Sequence, residues 1–513
     1  MTTTPNWMAL APFRHQAIEF ELNRNKRQHA YRMEQGTGKT KVACDKSIHL
    51  FLEDKIDAMV VIAPNGVHRN WIEREVPKHF AKCEFPFATL LWRPGTTKAF
   101  EAAQAAMLKT DQPVDIGSGI SITGRTFRIV AINIEAFRRK NNPAEKFLKK
   151  FLTKHRTHLI VDESSQIKTP TAAQSRRVRS CGRLAECRSI LTGTMITQGP
   201  LDSYAQFDFL KSGALGFDSF TAFKAYYAEI EDRPIPGSPI DPQTGKQPTH
   251  QHIKGFKNME ELHQRMAAMS SVWLKKDCLD LPDKVYEPPR FCEMTPEQAR
   301  LYNEARREIL VWLDQHQHLT IRNCLSRMLR LSQITGGFFP TDQERDPQPI
   351  EGGNSKIDGL FGILEELQPT DKVIVWARFI PELRLIAREL KANYAGGVSR
   401  WWGEVPEDVR SVELDRFMND PSRRFWVGQP HSGGYGLTLT AVSHVIYYSN
   451  DFSYEARAQS EDRAHRIGQT NKVTYWDLVA PNTIDEKVLG VLNVKKEMAS
   501  FFSTPLELAR WIA

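Results

Sequence analysis

The feature that most constrains this chain is a recurrence of short, apolar, β-rich runs. They fall at 29–33, 58–62, 88–92, 127–132, 158–162 and 188–192, separated by longer stretches with helical spacing. A strand buried on both faces reads as an unbroken apolar run, and parallel neighbours need long, usually helical, crossovers. The pattern therefore predicts a parallel α/β sheet with both faces covered. A second series at 372–376, 423–427, 443–448 and 473–477 predicts a second domain of the same build. The texture changes between 207 and 354. A patch carrying Pro234, Pro236, Pro239, Pro242 and Pro248 predicts an exposed loop, while 259–276 and 296–334 have helical spacing. The expected division is 1–206 for the first sheet domain, 207–285 for its helical protrusion, and 286–354 for a linker and second protrusion. The second sheet domain is expected at 355–486 and a C-terminal helical segment at 487–513, with the linker near Leu281 to Lys284.

With 513 residues the chain is long enough for several cores, and 41% hydrophobic with 25% charged residues excludes a disordered polyelectrolyte. No apolar run approaches the roughly 18 residues of a membrane span, and the first residues lack the basic and apolar regions of a secretory signal. The expected location is the cytoplasm of a bacterial host cell, or the nucleus if the source has one. The seven cysteines include no Cys-x-x-Cys pair, so neither a zinc site nor a disulfide framework is expected. The formal charge of +8 is compatible with a polyanionic partner. The basic run from Arg138 to Arg156 reads equally well as a phosphate-facing surface or a solvated helix face.

Several strings at the ends of these runs carry chemistry. Gly36-Thr37-Gly38-Lys39-Thr40 follows the first strand and opens an expected helix. Glycines there let backbone N–H groups turn toward phosphates, Lys39 adds a point charge, and the Thr40 hydroxyl can ligate magnesium. Gln16, just upstream, is either an adenine reader or a surface glutamine. At the end of the fifth run stand Asp162 and Glu163, paired so that one acid can hold magnesium and the next can orient an attacking water. The loop after the second run carries Asn65, His68 and Arg69 on the same expected sheet edge and suits phosphate contact, whereas Trp71 reads as core. Leu191-Thr192-Gly193-Thr194 ends another strand and by itself says little. In the second domain, Arg463 and Arg466 lie three apart within Gln459–Gln469, so a helix there would put both guanidiniums on one face. Such a pair suits the charge developing on a transferring phosphoryl.

Taken together the strings resemble the Swi/Snf-type ATPases of helicase superfamily two. DRAHRIGQ is close to a signature of that family and DESSQIK resembles its acid box. GTGKT, PNGVHRNW, LTGT, SKIDGLFGILEEL, KVIVWARF and GGYGLTLT follow in the family's order from about Leu10 to Glu486. The resemblance implies two tandem RecA-like parallel-sheet lobes with helical protrusions between them, ATP and Mg2+ as ligands, and double-stranded DNA, including branched or forked DNA, as partner. It assigns Lys39 and Thr40 to phosphate and magnesium, Asp162 to magnesium, Glu163 to the water, and Arg463 and Arg466 to the role of arginine fingers. Gly36, Thr37, Gly38, Gln16, Gly436 and Gln459 are the further nucleotide residues it implies. Lys168, Arg378, Ser432 and Thr438 join Asn65, His68 and Arg69 as expected DNA contacts. Ser164 and Ser165 stand where the family often has Gly-His, Pro430 and His431 replace a hydroxyl-Lys pair, and Thr438 replaces an Asn. No sequence resembling a chromatin-reading or zinc-binding appendage is present, which favours a bacterial or bacteriophage member. The reading that follows is a duplex-DNA translocase, with a strand-separating or branch-migrating helicase as alternative and a non-hydrolysing scaffold behind it.

Overall fold

The computed structural model describes residues 5–93, 95, 97–109, 125–139, 142–196, 199–234, 247–315, 321–339, 347–430 and 437–494. They form two compact units, one of Met1–Glu231 with Gln251–Asp280, the other of Asp232–His250 with Leu281–Ala513. The boundaries expected at 206 and 285 fall inside the helix Ser203–Leu210 and inside the strand Lys284–Tyr286.

The first unit is built on a seven-stranded, wholly parallel sheet. Its expected strands are β1 (Gln28–Met33), β2 (Ala58–Ala63), β3 (Phe87–Leu91), β4 (Phe127–Asn133), β5 (Thr157–Asp162) and β6 (Cys187–Thr192). β7 (Ala228–Pro234) and β8 (Thr249–Phe256) pair as a two-stranded sheet that flanks the expected proline-rich loop, of which 235–246 lie outside the described residues. The seventh strand of the sheet is β9 (Ser270–Trp273), and the order is β3-β4-β2-β5-β6-β1-β9. The central runs are apolar because both faces are covered: every residue of β2 and β5 is buried.

The expectation of one helix over 259–276 is overturned. A helix covers Met259–Ala267, and Ser270–Trp273 then pairs with β1, Ala30 opposite Ser270 and Met33 opposite Trp273. The apolar spacing of Met266, Met269 and Trp273 mimics a helical period. Backbone pairing with an otherwise open sheet edge outweighs that local pattern.

In the second unit, β14 (Val373–Trp376), β16 (Phe425–Gly428), β17 (His444–Tyr447) and β18 (Val473–Val479) answer the four expected runs. They are joined by β10 (Lys284–Tyr286) and β15 (Val398–Trp401) in the parallel order β10-β18-β17-β14-β16-β15, with β11 (Arg290–Phe291) also on β18. The expected linker thus ends in an edge strand. A two-stranded hairpin of β12 (Phe338–Phe339) and β13 (Gln348–Pro349) lies apart from this sheet. The helices Pro296–Gln315 and Ile321–Thr335 share a core with Ile484–Asn493 through Tyr302, Ile309, Leu331, Ile334, Val488 and Leu492. Of the C-terminal segment expected at 487–513, only 487–494 are described, within and just after this last helix; 495–513 lie outside the described residues. Among the described residues no helix is long and apolar enough to cross a membrane.

Candidate functional site

Sheet order decides which loops meet at the carboxyl edge of the first sheet. β1, β6 and β5 are neighbours, with β2 next to β5, so the segments after these four strands share one edge. The segment after β1 turns through Gly36 at φ 81° and Gly38 at φ 92°, conformations open to glycine, and enters the helix Lys39–Leu52. Gln16, expected either to read adenine or to be a surface residue, is buried against this loop. Its Nε2 donates to the Thr37 carbonyl at 2.9 Å and its Oε1 accepts from Phe13 N at 3.1 Å. His15 Nε2 donates to the same carbonyl at 2.7 Å. Because N–H and C=O of a trans peptide point opposite ways, pinning the Thr37 carbonyl turns the Gly38 N–H to the other side of the loop. A side chain at Gly38 would meet Gln16 Nε2 at 2.1 Å, so beyond the strain at this φ it would displace the amide that pins the Thr37 carbonyl.

β9 supports the loop from its other flank. Glu34 N donates to Trp273 O at 2.9 Å and Lys275 N to Glu34 Oε2 at 2.8 Å. The Thr37 hydroxyl donates to Glu34 O at 2.7 Å. Lys39 is buried with Nζ 2.9 Å from Met33 O, and Thr40 is half-buried on the first turn of the helix.

Across the edge, Asp162 ends β5 almost fully buried. Burial pushes its carboxyl up, while the Trp71 indole and the Lys39 charge pull it down, and the first effect prevails. Trp71 Nε1 donates to Asp162 Oδ2 at 2.9 Å and the Glu163 N–H to Oδ1 at 3.0 Å. Glu163 takes φ 50°, ψ 59°, a left-handed conformation costly for a residue with a side chain. Gln35 Nε2 approaches its Oε1 at 3.5 Å. Ser164, at the family's usual glycine, is fully buried and donates to Gln206 Oε1 at 2.6 Å. Gly193, which the sequence left without a role, packs on this loop. A side chain there would come within 3.0 Å of Gln35 Cγ and 3.6 Å of Lys39 Nζ.

The expected DNA residues of this unit differ in availability. Asn65 is exposed, Arg69 Nε pairs with Glu73 at 2.6 Å, His68 is buried, and Lys168 lies 3.8 Å from Asp202. Much of the basic run is engaged as well. Lys149 pairs with Glu145, Arg138 donates to Gln174, and Arg156 spans Asp54 and Asp57.

In the second unit the expectation of a helix through Gln469 is corrected. The helix is Tyr454–Ala464, and His465 leaves helical geometry at φ −99°, ψ 81°. Gln469 Nε2 donates to the Ala464 carbonyl at 3.1 Å and to Val442 O at 2.9 Å, satisfying a terminal carbonyl that another helical turn would otherwise have bonded. Arg463 therefore sits buried in the last turn, whereas Arg466 lies beyond it, half-buried, with Nη1 donating to Leu437 O at 2.7 Å. Leu439 N donates to Arg463 O at 2.9 Å, so the segment carrying the exposed Thr438 hangs on both arginines. Ser432 and Gly436 lie outside the described residues. Gln459 is buried with Nε2 donating to Glu455 at 3.1 Å, and Arg378 is paired with Asp451 at 3.4 Å and stacked 4.4 Å from the Phe452 ring centre.

Sequence reasoning missed what holds this helix. Arg457 is bidentate to Asp477, at 2.6 and 3.0 Å, reaches Glu461 at 2.9 Å, and lies 3.5 Å above Tyr447. Lys284 and Tyr286 of β10 meet Glu461 from the other side, at 3.1 and 2.7 Å. Truncating Arg457 would leave two buried carboxylates without their shared partner, a loss typically of about 3–5 kcal/mol. Arg457→Met is expected to lower stability by that amount in urea unfolding. A change below about 1 kcal/mol, the range of an exposed pair, would show that the network is not held.

A glycine-turned loop with a buried lysine, set across a parallel sheet edge from a buried strand-end aspartate, defines a phosphate-loop nucleotide hydrolase. A second parallel sheet with an arginine-bearing helix accompanies it. The chain belongs to the SNF2-related family: the SNF2-related domain matches residues 16–336 and the helicase conserved C-terminal domain residues 355–468. It thereby carries the paired domains of a helicase-like ATPase. The mouse DNA annealing helicase and endonuclease ZRANB3 is 26% identical over 95% of this chain and 40% of its own length. The human TATA-binding protein-associated factor 172 is 25% identical over 67% of this chain and 20% of its own. The putative ATP-dependent helicase/translocase YwqA of Bacillus subtilis is 24% identical over 66% of this chain and 35% of its own. The chain thus spans two fifths or less of the length of these relatives. A solved SWI2/SNF2 ATPase core of Sulfolobus solfataricus in complex with dsDNA matches all of this chain and 99% of that one, at 22% identity and a TM-score of 0.39. At that score the fold rests on the sheet topology described above.

Proposed function

We propose that this chain is an ATP-driven translocase on double-stranded DNA, serving replication, recombination, repair or displacement of bound proteins. The observation that carries the reading is the edge of the first sheet, where Lys39 and Asp162 are buried within electrostatic reach of each other and Glu163 is held in a strained turn beside them. The residues present fit ATP and magnesium. Gly36 and Gly38 take the positive φ that turns the loop's backbone, and a hydroxyl at Thr40 with a carboxylate at Asp162 is the hard oxygen set magnesium takes together with substrate phosphates. Magnesium would supply charge neutralisation of the phosphates. Lys39 and the Gly38 N–H would bind them, Glu163 would orient the attacking water, and Arg463 and Arg466 would stabilise the charge that develops on the transferring group. Gln16, fixed to the phosphate loop, would report adenine occupancy to it. Asn65 and Thr438, both exposed, would be the first contacts of a DNA backbone, followed by Arg69 and Lys168 once their acidic partners are displaced. Ser432, His68 and Arg378 are proposed as further contacts of the same kind.

Duplex DNA as the substrate draws support from the related helicases and translocases, and the absence of base-reading strings favours phosphate contact. Turnover is expected to be slow without nucleic acid and strongly raised by duplex. Affinity should fall with salt by a slope of about −0.9 in log K per phosphate neutralised. ATPase rates with duplex, single-stranded, forked and four-way DNA test the reading, together with displacement of a triplex-forming strand. Equal turnover with and without DNA would overturn it. Efficient unwinding of plain forks would favour the strand-separating alternative.

A further inference from the structure

Trp71 reads as an ordinary core residue in the sequence, and its ring is indeed almost fully buried. A core indole would normally satisfy its N–H on a nearby carbonyl. This one donates instead to a carboxylate oxygen of Asp162, across 91 residues of sequence, at 2.9 Å. Among the described residues the adjacent Glu163 N–H donates to the other oxygen, so each oxygen has a fixed donor. The backbone around Trp71 is also unusual. After the four-residue helix Val67–Asn70, residues Trp71–Glu75 form a π-helical turn in which Val76 N donates to Trp71 O. One extra residue in a turn rotates the side chains on either side of it relative to an α-helix, and such turns recur at functional sites. Here the turn begins at the residue whose indole reaches the acid. Its final residue, Glu75, lies near enough to push the Asp162 carboxyl up. Asn65, exposed at the end of β2, is separated from Trp71 only by Gly66 and that short helix.

We propose that Trp71 is a positioning residue: its indole N–H holds the Asp162 carboxylate in the orientation that receives the divalent cation, and the short helix Val67–Asn70, which runs straight into Trp71, links that hold to Asn65 and Arg69. This rests on the reading of Asp162 as the magnesium ligand. Partners that orient a metal-binding group typically contribute about 10–100-fold in metal affinity or activity, although they never touch the metal. Movement of Asn65–Arg69 on a DNA backbone would then reach Asp162 through a single short segment. That gives the first unit its own route from DNA contact to metal affinity.

The test replaces the N–H while keeping the ring. Trp71→Phe is the first variant. The isosteric benzothienylalanine, which has sulfur in place of the indole N–H, is the second, in case phenylalanine underfills the site. Both are to be studied in the full chain. Half-saturation for Mg2+ in DNA-stimulated turnover should rise about tenfold or more. Mn2+ binding to the protein–ADP complex, read by electron paramagnetic resonance without turnover, should weaken by a similar factor. Metal-free ADP affinity and the unfolding midpoint of the isosteric variant should stay unchanged, which a packing role alone would not predict. Stimulation by duplex should fall relative to basal turnover. Mn2+ binding and Mg2+ half-saturation both within twofold of wild type would overturn the proposal. Asp162→Asn separates the two claims. If it retains turnover, the reading of Asp162 fails; if it abolishes turnover while the Trp71 variants bind metal normally, only the present inference fails.

Discussion

Arg466→Ala is expected to lower DNA-stimulated turnover by about 10³–10⁵ while leaving ATP affinity within several-fold. The separation follows from when each interaction is made. Ground-state grip comes from the loop at Gly36–Thr40 and from Lys39, whereas a guanidinium that meets charge only as it develops lowers the barrier without tightening substrate. Arg463→Ala should behave similarly for a second reason. Its side chain is buried in the last helical turn, beside the backbone bond from Leu439 N to the residue 463 carbonyl that alanine would keep, so truncation leaves a gap next to the segment that Arg466 bonds through Leu437. Lysine should not rescue Arg466, because an ammonium lacks the planar fork that reaches two oxygens and would also have to replace the bond to Leu437 O. Single-turnover hydrolysis with saturating duplex, beside nucleotide binding measured by fluorescence, decides the matter. If both alanine variants keep more than about a tenth of wild-type turnover, far outside the range of a finger, the roles given to these arginines are wrong.

Glu163→Gln is expected to yield a protein that binds ATP and DNA but turns over about 10²–10⁴-fold more slowly. Glutamine has the same stem, so the left-handed backbone at this position meets the same steric demand in both proteins. The Gln35 Nε2 contact can also persist through the amide oxygen. What disappears is the charge that would orient and deprotonate water. Lys39→Ala provides the contrast. It removes a buried ammonium from the phosphate loop and from the field of Asp162, so ATP binding itself should weaken. A Glu163→Gln protein with turnover within about fivefold of wild type would leave the attacking water to another group, since removing a general base typically costs far more. A Lys39→Ala protein with unchanged ATP affinity would remove the phosphate loop from the argument.

Several of these residues are legible in the sequence, and the reason is local. The glycine-turned loop, the acid pair and the arginine string each depend on contiguous backbone, so their residues must be adjacent in the chain. The apolar runs of β2 and β5 are equally local, because burial on both faces leaves no alternation to confuse them. The identity of neighbours is not local. Gln16 is legible as a residue near the loop but not as the clamp on Thr37, since an amide suits either role.

What the sequence by itself determined is therefore the two parallel sheets, the place of the phosphate loop and acids at strand ends, and the family to which they belong. Tertiary structure alone decided which distant groups complete them. Ser270–Trp273 is a strand because the edge of β1 offers unpaired backbone groups, not because its own pattern demands one. The arginine helix stops at Ala464 because Gln469 and Val442 hold the chain that follows. Trp71 is core by composition, yet its N–H ends on Asp162 because β2 and β5 are neighbours in the sheet. Periodicity records that a residue is buried; only the fold settles which polar partner it meets there, since hydrogen bonds between elements depend on strand order and register that no single segment encodes.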